Sequence, residues 1–184
     1  MNSIQSFFSN QRFERGNEFL GAFSQLVRQV LEQTGQKAIS LTEELATLAL
    51  YLQLEKLRLG NQLAFKVHLD PVVEGDLIRV PPLIFQPFVE NAIWHGIAPK
   101  EAPGKIDIHI AYHAEQDALI AVIEDDGLGM RPNNTTMSNG HRSRGVEITR
   151  ERLGIGGKIE IKNLNDFEPH RTGVRTELVI PLWD

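Results

Sequence analysis

Two short stretches place reactive side chains where packing alone does not require them. The first, VPPLIFQPFVENAIWHG at Val80–Gly96, is largely apolar but carries Glu90 and Asn91 side by side and ends in Trp94, His95 and Gly96. An unpaired carboxylate or amide buried in such a helix costs several kcal/mol, so the pair needs a partner or a route to water. The second, EDDGLGM, sets Asp125 ahead of Gly127 and Gly129, where glycine lets the backbone turn sharply and approach a ligand closely. A carboxylate can accept a hydrogen bond from an exocyclic amine such as that of adenine. An amide oxygen is a hard ligand suited to Mg²⁺ carried on phosphates. The free N–H groups of a helix N-terminus bind phosphate oxygens. A lone D-x-G-x-G usually marks a plain turn, and a polar helix face usually meets solvent. Their combination with a long polar loop and a following helix that begins at Gly145 is the stronger signal.

These residues need a core behind them. At 100° per residue Phe85, Phe88, Val89, Ala92 and Ile93 share an arc of about 140°, leaving Gln86, Pro87, Glu90, Asn91, Trp94 and His95 on the other side. A helix over roughly 82–97 would carry Pro87 in its interior, at a cost of about 3 kcal/mol or a kink. Upstream, Phe19, Leu20, Phe23, Leu26, Val27, Val30 and Leu31 have amphipathic helical spacing. A second helix opens at Ser40 with Glu43 as a capping box, continues through Leu45, Leu48, Tyr51, Leu52 and Leu54, and stops at Gly60. Two such helices cannot bury both their faces alone; they need another domain or another copy.

From residue 61 the period becomes two. Leu63, Phe65, Val67 and Leu69 alternate on one face, and Ile106, Ile108, Ile110 and Tyr112 alternate again and are expected to point inward. ALIAVIED is apolar on both faces, as a central strand should be. KIEIKN and TELVIPL add two strands, with the helix GVEITRERL before them. The expectation is an α+β two-layer sandwich, a mixed and mostly antiparallel sheet covered on one face by helices. His68, His109 and His113 fall on outward strand positions and read as surface histidines. The stretch 126–144 is a long glycine-, asparagine- and serine-rich loop, of the kind that is usually functional or mobile.

Composition narrows the class. The chain of 184 residues, 41% apolar and 23% charged, suits one ordinary domain or a small domain with an appendage. A net charge of −5 disfavours a nucleic-acid backbone as partner. With no cysteine there is no disulfide and no thiolate metal site. The opening residues lack a signal peptide's basic start and apolar run, so any membrane anchor is expected outside these residues.

PPLIFQPFVENAIWHGI resembles the N box of GHKL-type (Bergerat) ATPases, in the form found in autolysin-sensor (LytS-type) histidine kinases. LTEELATLALYLQLEKLRLGNQL is similar to that family's linker helix, VIEDDGLGM to its G1 box, RGVEITRERL to its G2 helix and GVRTELVIPL to its closing strand. The resemblance covers nearly the whole chain in the right order. It implies a Bergerat sandwich at 61–184 that binds ATP and Mg²⁺, preceded at 1–60 by a helical dimerisation and phosphotransfer segment. Carried over residue by residue, it implies that Asn91 ligates Mg²⁺ and that Glu90 polarises the γ-phosphate region or acts as a base. Asp125 would read adenine, with Gly127 and Gly129 shaping the pocket and His95 bordering the nucleotide. Gly145 would open the lid helix, and Arg152 would hold that lid or the phosphate tail. The implied partners are a response regulator and a second copy of the chain. The implied location is cytoplasmic, on a protein anchored in the cell membrane.

Three positions depart from the family's wording. Ser143 stands where a glycine is usual, so that the lid would bind more loosely or use Ser143 and Arg144 instead; Asp126 stands where Asn is common, and Val174 where Thr is frequent. The family's acceptor histidine lies in a segment like H-F-L-F-N-x-L-N-S-I, and this chain, which has no histidine before His68, starts MNSIQSFF. The expectation is a kinase core that binds ATP but cannot phosphorylate itself at that site. Two other readings remain open: a degenerate scaffold that no longer binds ATP, or a GHKL ATPase that hydrolyses ATP on Glu90.

Overall fold

The computed structural model describes residues 13–130 and 141–182. Helix α1 (Phe13–Thr34) is followed by the two-residue strand β1 (Ile39–Ser40) and helix α2 (Leu41–Leu59). The capping box forms as expected: the Glu43 N–H donates to Ser40 Oγ at 3.1 Å, and the Ser40 N–H donates to Glu43 Oε2 at 2.8 Å. Glu43 and Glu44 in the first turn of α2, and Lys56 and Arg58 in its last, suit the helix dipole. Gly60 ends the helix with φ 62°, as the stop signal required. α1 packs on α2 partly through a buried hydrogen bond from Gln33 Nε2 to Thr47 Oγ1 at 2.8 Å. Leu26 is buried there, whereas Leu20, Phe23, Val27 and Leu31 keep an exposed apolar stripe.

The sheet has the order β2-β4-β5-β7-β6, from strands β2 (Leu63–Leu69), β4 (Gly104–His113), β5 (Ala118–Asp125), β6 (Lys158–Asn163) and β7 (Val174–Pro181). β2 and β4 run parallel and every other pair antiparallel. β5 is central, as its two-sided apolarity required. Ile106, Ile108, Ile110, Leu119, Ala121, Ile123, Leu178 and Ile180 face inward and are buried. Above them lie Phe85, Phe88, Val89, Ala92, Ile93 and Ile97, together with Leu153 of helix α4 (His141–Leu153). The architecture is the α+β sandwich expected, with a helical part before it.

Four local expectations need correction. Tyr112 is 40% exposed, because the end of β4 runs to the hairpin, where its hydroxyl donates to Asp117 Oδ1 at 2.8 Å. The helix expected over 82–97 begins later, at Gln86: α3 (Gln86–Asn91) continues as a π-helical turn, Ala92–Ile97. Pro87 therefore sits in the first turn, where its missing N–H is no loss, and not in the interior. The short pairing of β1 with β3 (Arg79–Val80) was not foreseen, since two residues leave no periodicity to read. The outer sheet face carries His68 and His109, whose rings stack at 4.6 Å, and the half-buried His113. No helix among the described residues is long and apolar enough to cross a membrane.

Candidate functional site

α3 and the π turn bury the arc the sequence marked and leave the rest accessible. Glu90 and Asn91 are half-buried, Trp94 and His95 are exposed, and Gly96 is buried. Gln86 Nε2 donates to Glu90 Oε1 at 2.7 Å, which orients the carboxylate along the helix. Among the described residues the Asn91 amide takes no hydrogen-bond partner. The Arg58 guanidinium of α2 lies 4.0 Å over the Trp94 ring. The widened turn is real in its bonding: the Ala98 N–H reaches Ile93 O at 2.7 Å, five residues back. Single π turns of this kind are frequently found at functional sites.

That turn delivers Gly96 onto the end of β5. Asp125 is 5% exposed, and its Oδ1 accepts the Gly127 N–H at 2.9 Å. The backbones touch so closely that a Cβ at Gly127 would lie 2.4 Å from Gly96 Cα and 2.7 Å from Asp125 Oδ1. A Cβ at Gly96 would lie 2.8 Å from the same oxygen. On the other side Gly173, at φ +117°, presses against the Asp125 carbonyl, where a Cβ would come within 1.8 Å. The Leu128 N–H donates to Gly96 O at 3.2 Å and ties the loop to the helix end. Three glycines thus form a cradle around Asp125 that no side chain can enter.

The loop leaving this corner is held at two points. Gly129 has φ +75°, and the next residue, Met130, donates its N–H to Asn163 Oδ1 at 2.6 Å. Asp126, the departure that adds a negative charge, is neutralised: its Oδ1 accepts the Lys105 N–H at 2.7 Å and lies 3.3 Å from Lys100 Nζ. Residues 131–140 of the expected lid loop, and the side chains of Ser143 and Arg144, lie outside the described residues. Gly145 does not open its helix; α4 starts four residues earlier, at His141. A Cβ at Gly145 would sit 3.2 Å from Pro87 Cβ, so its smallness serves the contact between α4 and α3. Arg152 Nη1 donates to Pro82 O at 2.9 Å, which places that guanidinium on the turn leading into α3.

The structure therefore gathers Asp125 and Gly127 at one corner, adds Gly129 on the loop that leaves it, and puts Glu90, Asn91 and His95 on the helix that ends there. Sequence reasoning missed Glu44. It is 1% exposed and accepts the Leu83 N–H at 2.7 Å and the Phe85 N–H at 3.3 Å. Burial pushes its carboxyl up to about 7, against the backbone N–H groups of Leu83, Phe85 and Ile84 and the charge of Arg152. A signal existed, since Glu44 falls at helical spacing between Leu41 and Leu48, inside the apolar stripe. Gly173 was likewise passed over, and a lone glycine before a strand gives no hint of what it touches.

The chain is similar to known proteins in sequence and in fold. A family model described as histidine kinase matches residues 1–63. The uncharacterized protein YwpD of Bacillus subtilis is 31% identical over 159 residues, covering 83% of this chain and 56% of YwpD. The sensor protein LytS of Staphylococcus epidermidis is 26% identical over 176 residues, 91% of this chain and 29% of LytS. The chain is similar to the LytS-type histidine kinases over most of its length. It spans about half of YwpD and under a third of LytS. Among solved structures, the histidine kinase domain of the Erythrobacter litoralis EL346 blue-light activated kinase superposes with a TM-score of 0.57 at 20% identity. That match covers 98% of this chain and 80% of the other and carries the likeness of fold.

Proposed function

We propose that this chain is the ATP-binding catalytic core of a sensor histidine kinase. The observation that carries the reading is the half-buried Asn91 amide, which takes no partner among the described residues and stands on the helix whose end seats on Asp125. A flat base would come edge-on to the Asp125 carboxylate beside the close Gly96–Gly127 contact, with Gly129 shaping the exit. Among the described residues no three His, Cys, Asp or Glu side chains converge on a metal position. A divalent ion would accordingly be held by the Asn91 oxygen together with phosphates, the mode Mg²⁺ favours. Mg·ATP supplies the γ-phosphoryl group for transfer to a histidine and then to a response-regulator aspartate.

The residues of this chain bind and orient. Asp125 accepts from the base and Asn91 holds the metal; Glu90, turned along the helix by Gln86, faces the γ-phosphate region. His95 borders the nucleotide, and Gly145 with Ser143 and Arg144 completes the phosphate side from α4. The helical part, residues 1–60, serves dimerisation and phosphotransfer, and residues 61–184 form the ATP-binding domain. The exposed stripe Leu20, Phe23, Val27 and Leu31 on α1 supports a homodimer. With no histidine before His68, the chain would bind nucleotide without phosphorylating itself at the family's site.

Titration calorimetry with a non-hydrolysable ATP analogue, with Mg²⁺ and with EDTA, tests the reading. Saturable binding that weakens in EDTA, in Asn91→Ala and in Asp125→Ala is expected. No heat and no thermal shift at millimolar analogue would refute it and leave a scaffold role.

A further inference from the structure

The Pro82–Phe85 turn that leads into α3 is gripped from two sides. From α2, the Glu44 carboxylate accepts the Leu83 and Phe85 N–H groups at 2.7 and 3.3 Å. From α4, Arg152 Nη1 donates to Pro82 O at 2.9 Å. Between them Leu83 has φ 58°, a left-handed conformation that leucine adopts only where its surroundings hold it. The grip lies at the start of the helix that carries Asn91.

We propose that Glu44 and Arg152 are positioning residues, which clamp the Pro82–Phe85 turn between α2 and α4 and thereby set where Asn91 stands relative to the Asp125 corner. This rests on the nucleotide-binding reading above and adds a consequence for regulation. Glu44 belongs to the helical part of the chain, so a shift of α2 against the sandwich moves the turn and carries Asn91 with it. The base-reading corner draws Asp125, Gly127 and Gly173 from the strands and their turns, and of the helix only Gly96 reaches it. A loosened clamp therefore weakens metal–phosphate binding and spares the nucleoside.

The test compares the whole chain with its Glu44→Ala, Glu44→Gln, Arg152→Ala and Arg152→Lys variants. Two ligands are titrated: the non-hydrolysable ATP analogue with Mg²⁺, by calorimetry, and adenosine, by NMR shifts. Glu44→Ala and Arg152→Ala should lose about tenfold in analogue affinity while adenosine affinity changes less than about twofold. Glu44→Gln, which keeps an acceptor oxygen, and Arg152→Lys, which keeps a donor, should restore most of the loss. Melting curves show whether each variant is folded at the assay temperature; if Glu44→Ala is not, the Arg152 pair decides. Equal losses for both ligands, or no loss in the alanine variants, overturn the clamp and leave the function intact. Failure of the unaltered chain to bind either ligand overturns the functional reading and the clamp with it.

Discussion

Replacing Gly127 with alanine adds one methyl group at the tightest backbone approach in the site. Its Cβ would lie 2.4 Å from Gly96 Cα, 2.5 Å from Gly96 C and 2.7 Å from Asp125 Oδ1. Ordinary carbon contacts sit at about 3.5–4.0 Å, so the helix end and the strand turn must part by roughly 1 Å. Two of the three obstructing atoms are backbone, with no rotamer that can give way. Overpacking of this kind costs about 1–3 kcal/mol, and the rigidity of the contact puts this case near the upper end. For a chain of this size each kcal/mol lowers Tm by roughly 2–4 °C, so a fall of about 6–12 °C is expected. If Asp125 binds the base as proposed, the same separation should weaken the Mg²⁺-bound ATP analogue by about tenfold or more. Gly21→Ala is the control: it lies on the exposed side of α1 with nothing within 4 Å of its Cβ. It should raise stability by up to about 1 kcal/mol through helix propensity alone. Calorimetric melting and analogue titration of the two variants decide the matter. A Gly127→Ala protein that melts and binds like the unaltered chain refutes the cradle.

The protonation of Glu44 gives a second prediction. Burial raises its carboxyl from 4.5 to about 7, so the stability tied to the protonated form is complete below the unfolded value and is lost as pH rises through about 7. Measured against Glu44→Gln, the unaltered chain should gain stability on acidification between those values, by up to about 3 kcal/mol; a flat difference in melting temperature would contradict this. Ser40→Ala removes the side-chain half of the capping box and should cost about 1 kcal/mol in thermal unfolding, with analogue affinity unchanged. On the outer sheet face, burial opposes the charge on Glu124, but Arg171 at 2.9 Å and Arg175 at 2.7 Å prevail and hold it below the usual carboxylate range. Glu124→Gln should cost about 1 kcal/mol or less, and less still in high salt, without effect on nucleotide binding.

Periodicity and capping chemistry were enough to read the helices, the five long strands and the covered face, because they are repeated local signals that burial then enforces. The departures share a cause. Tyr112 has inward parity but sits where the strand outruns its helical cover, and parity says nothing about cover. Pro87 read as a helix breaker only while the helix was thought to start at residue 82. The start is set by Glu44, which lies 39 positions before the Leu83 N–H it holds, too far for any local pattern. The motif glycines were legible as a set, but not their division of labour. A Cβ at Gly145 would meet Pro87, and Gly173 proves as close to Asp125 as Gly127 is.

That division separates scaffold from chemistry. Gly96, Gly127 and Gly173 are explained by the contacts a Cβ would violate, and Pro87 by its place in a first turn facing Gly145. Phe85, Phe88, Val89 and Ile93 are explained by burial, and Asp126 by its lysines. Asn91 is not accounted for in this way: it is half-buried, set beside a carboxylate that Gln86 already engages, and without a hydrogen-bond partner among the described residues. A leucine or alanine there would serve the fold as well, since the amide makes no hydrogen bond to the described residues that packing depends on. An open amide on the helix that ends against a buried acid fits the proposed ligand, which Asn91 and Asp125 would bind together. The double variant Asn91→Ala, Asp125→Ala would measure that sharing. If one ligand spans the two residues, each single change should weaken the analogue and the double change should weaken it further, near additively where they touch different ends of it; a loss confined to one residue would mean that the other does not touch the ligand.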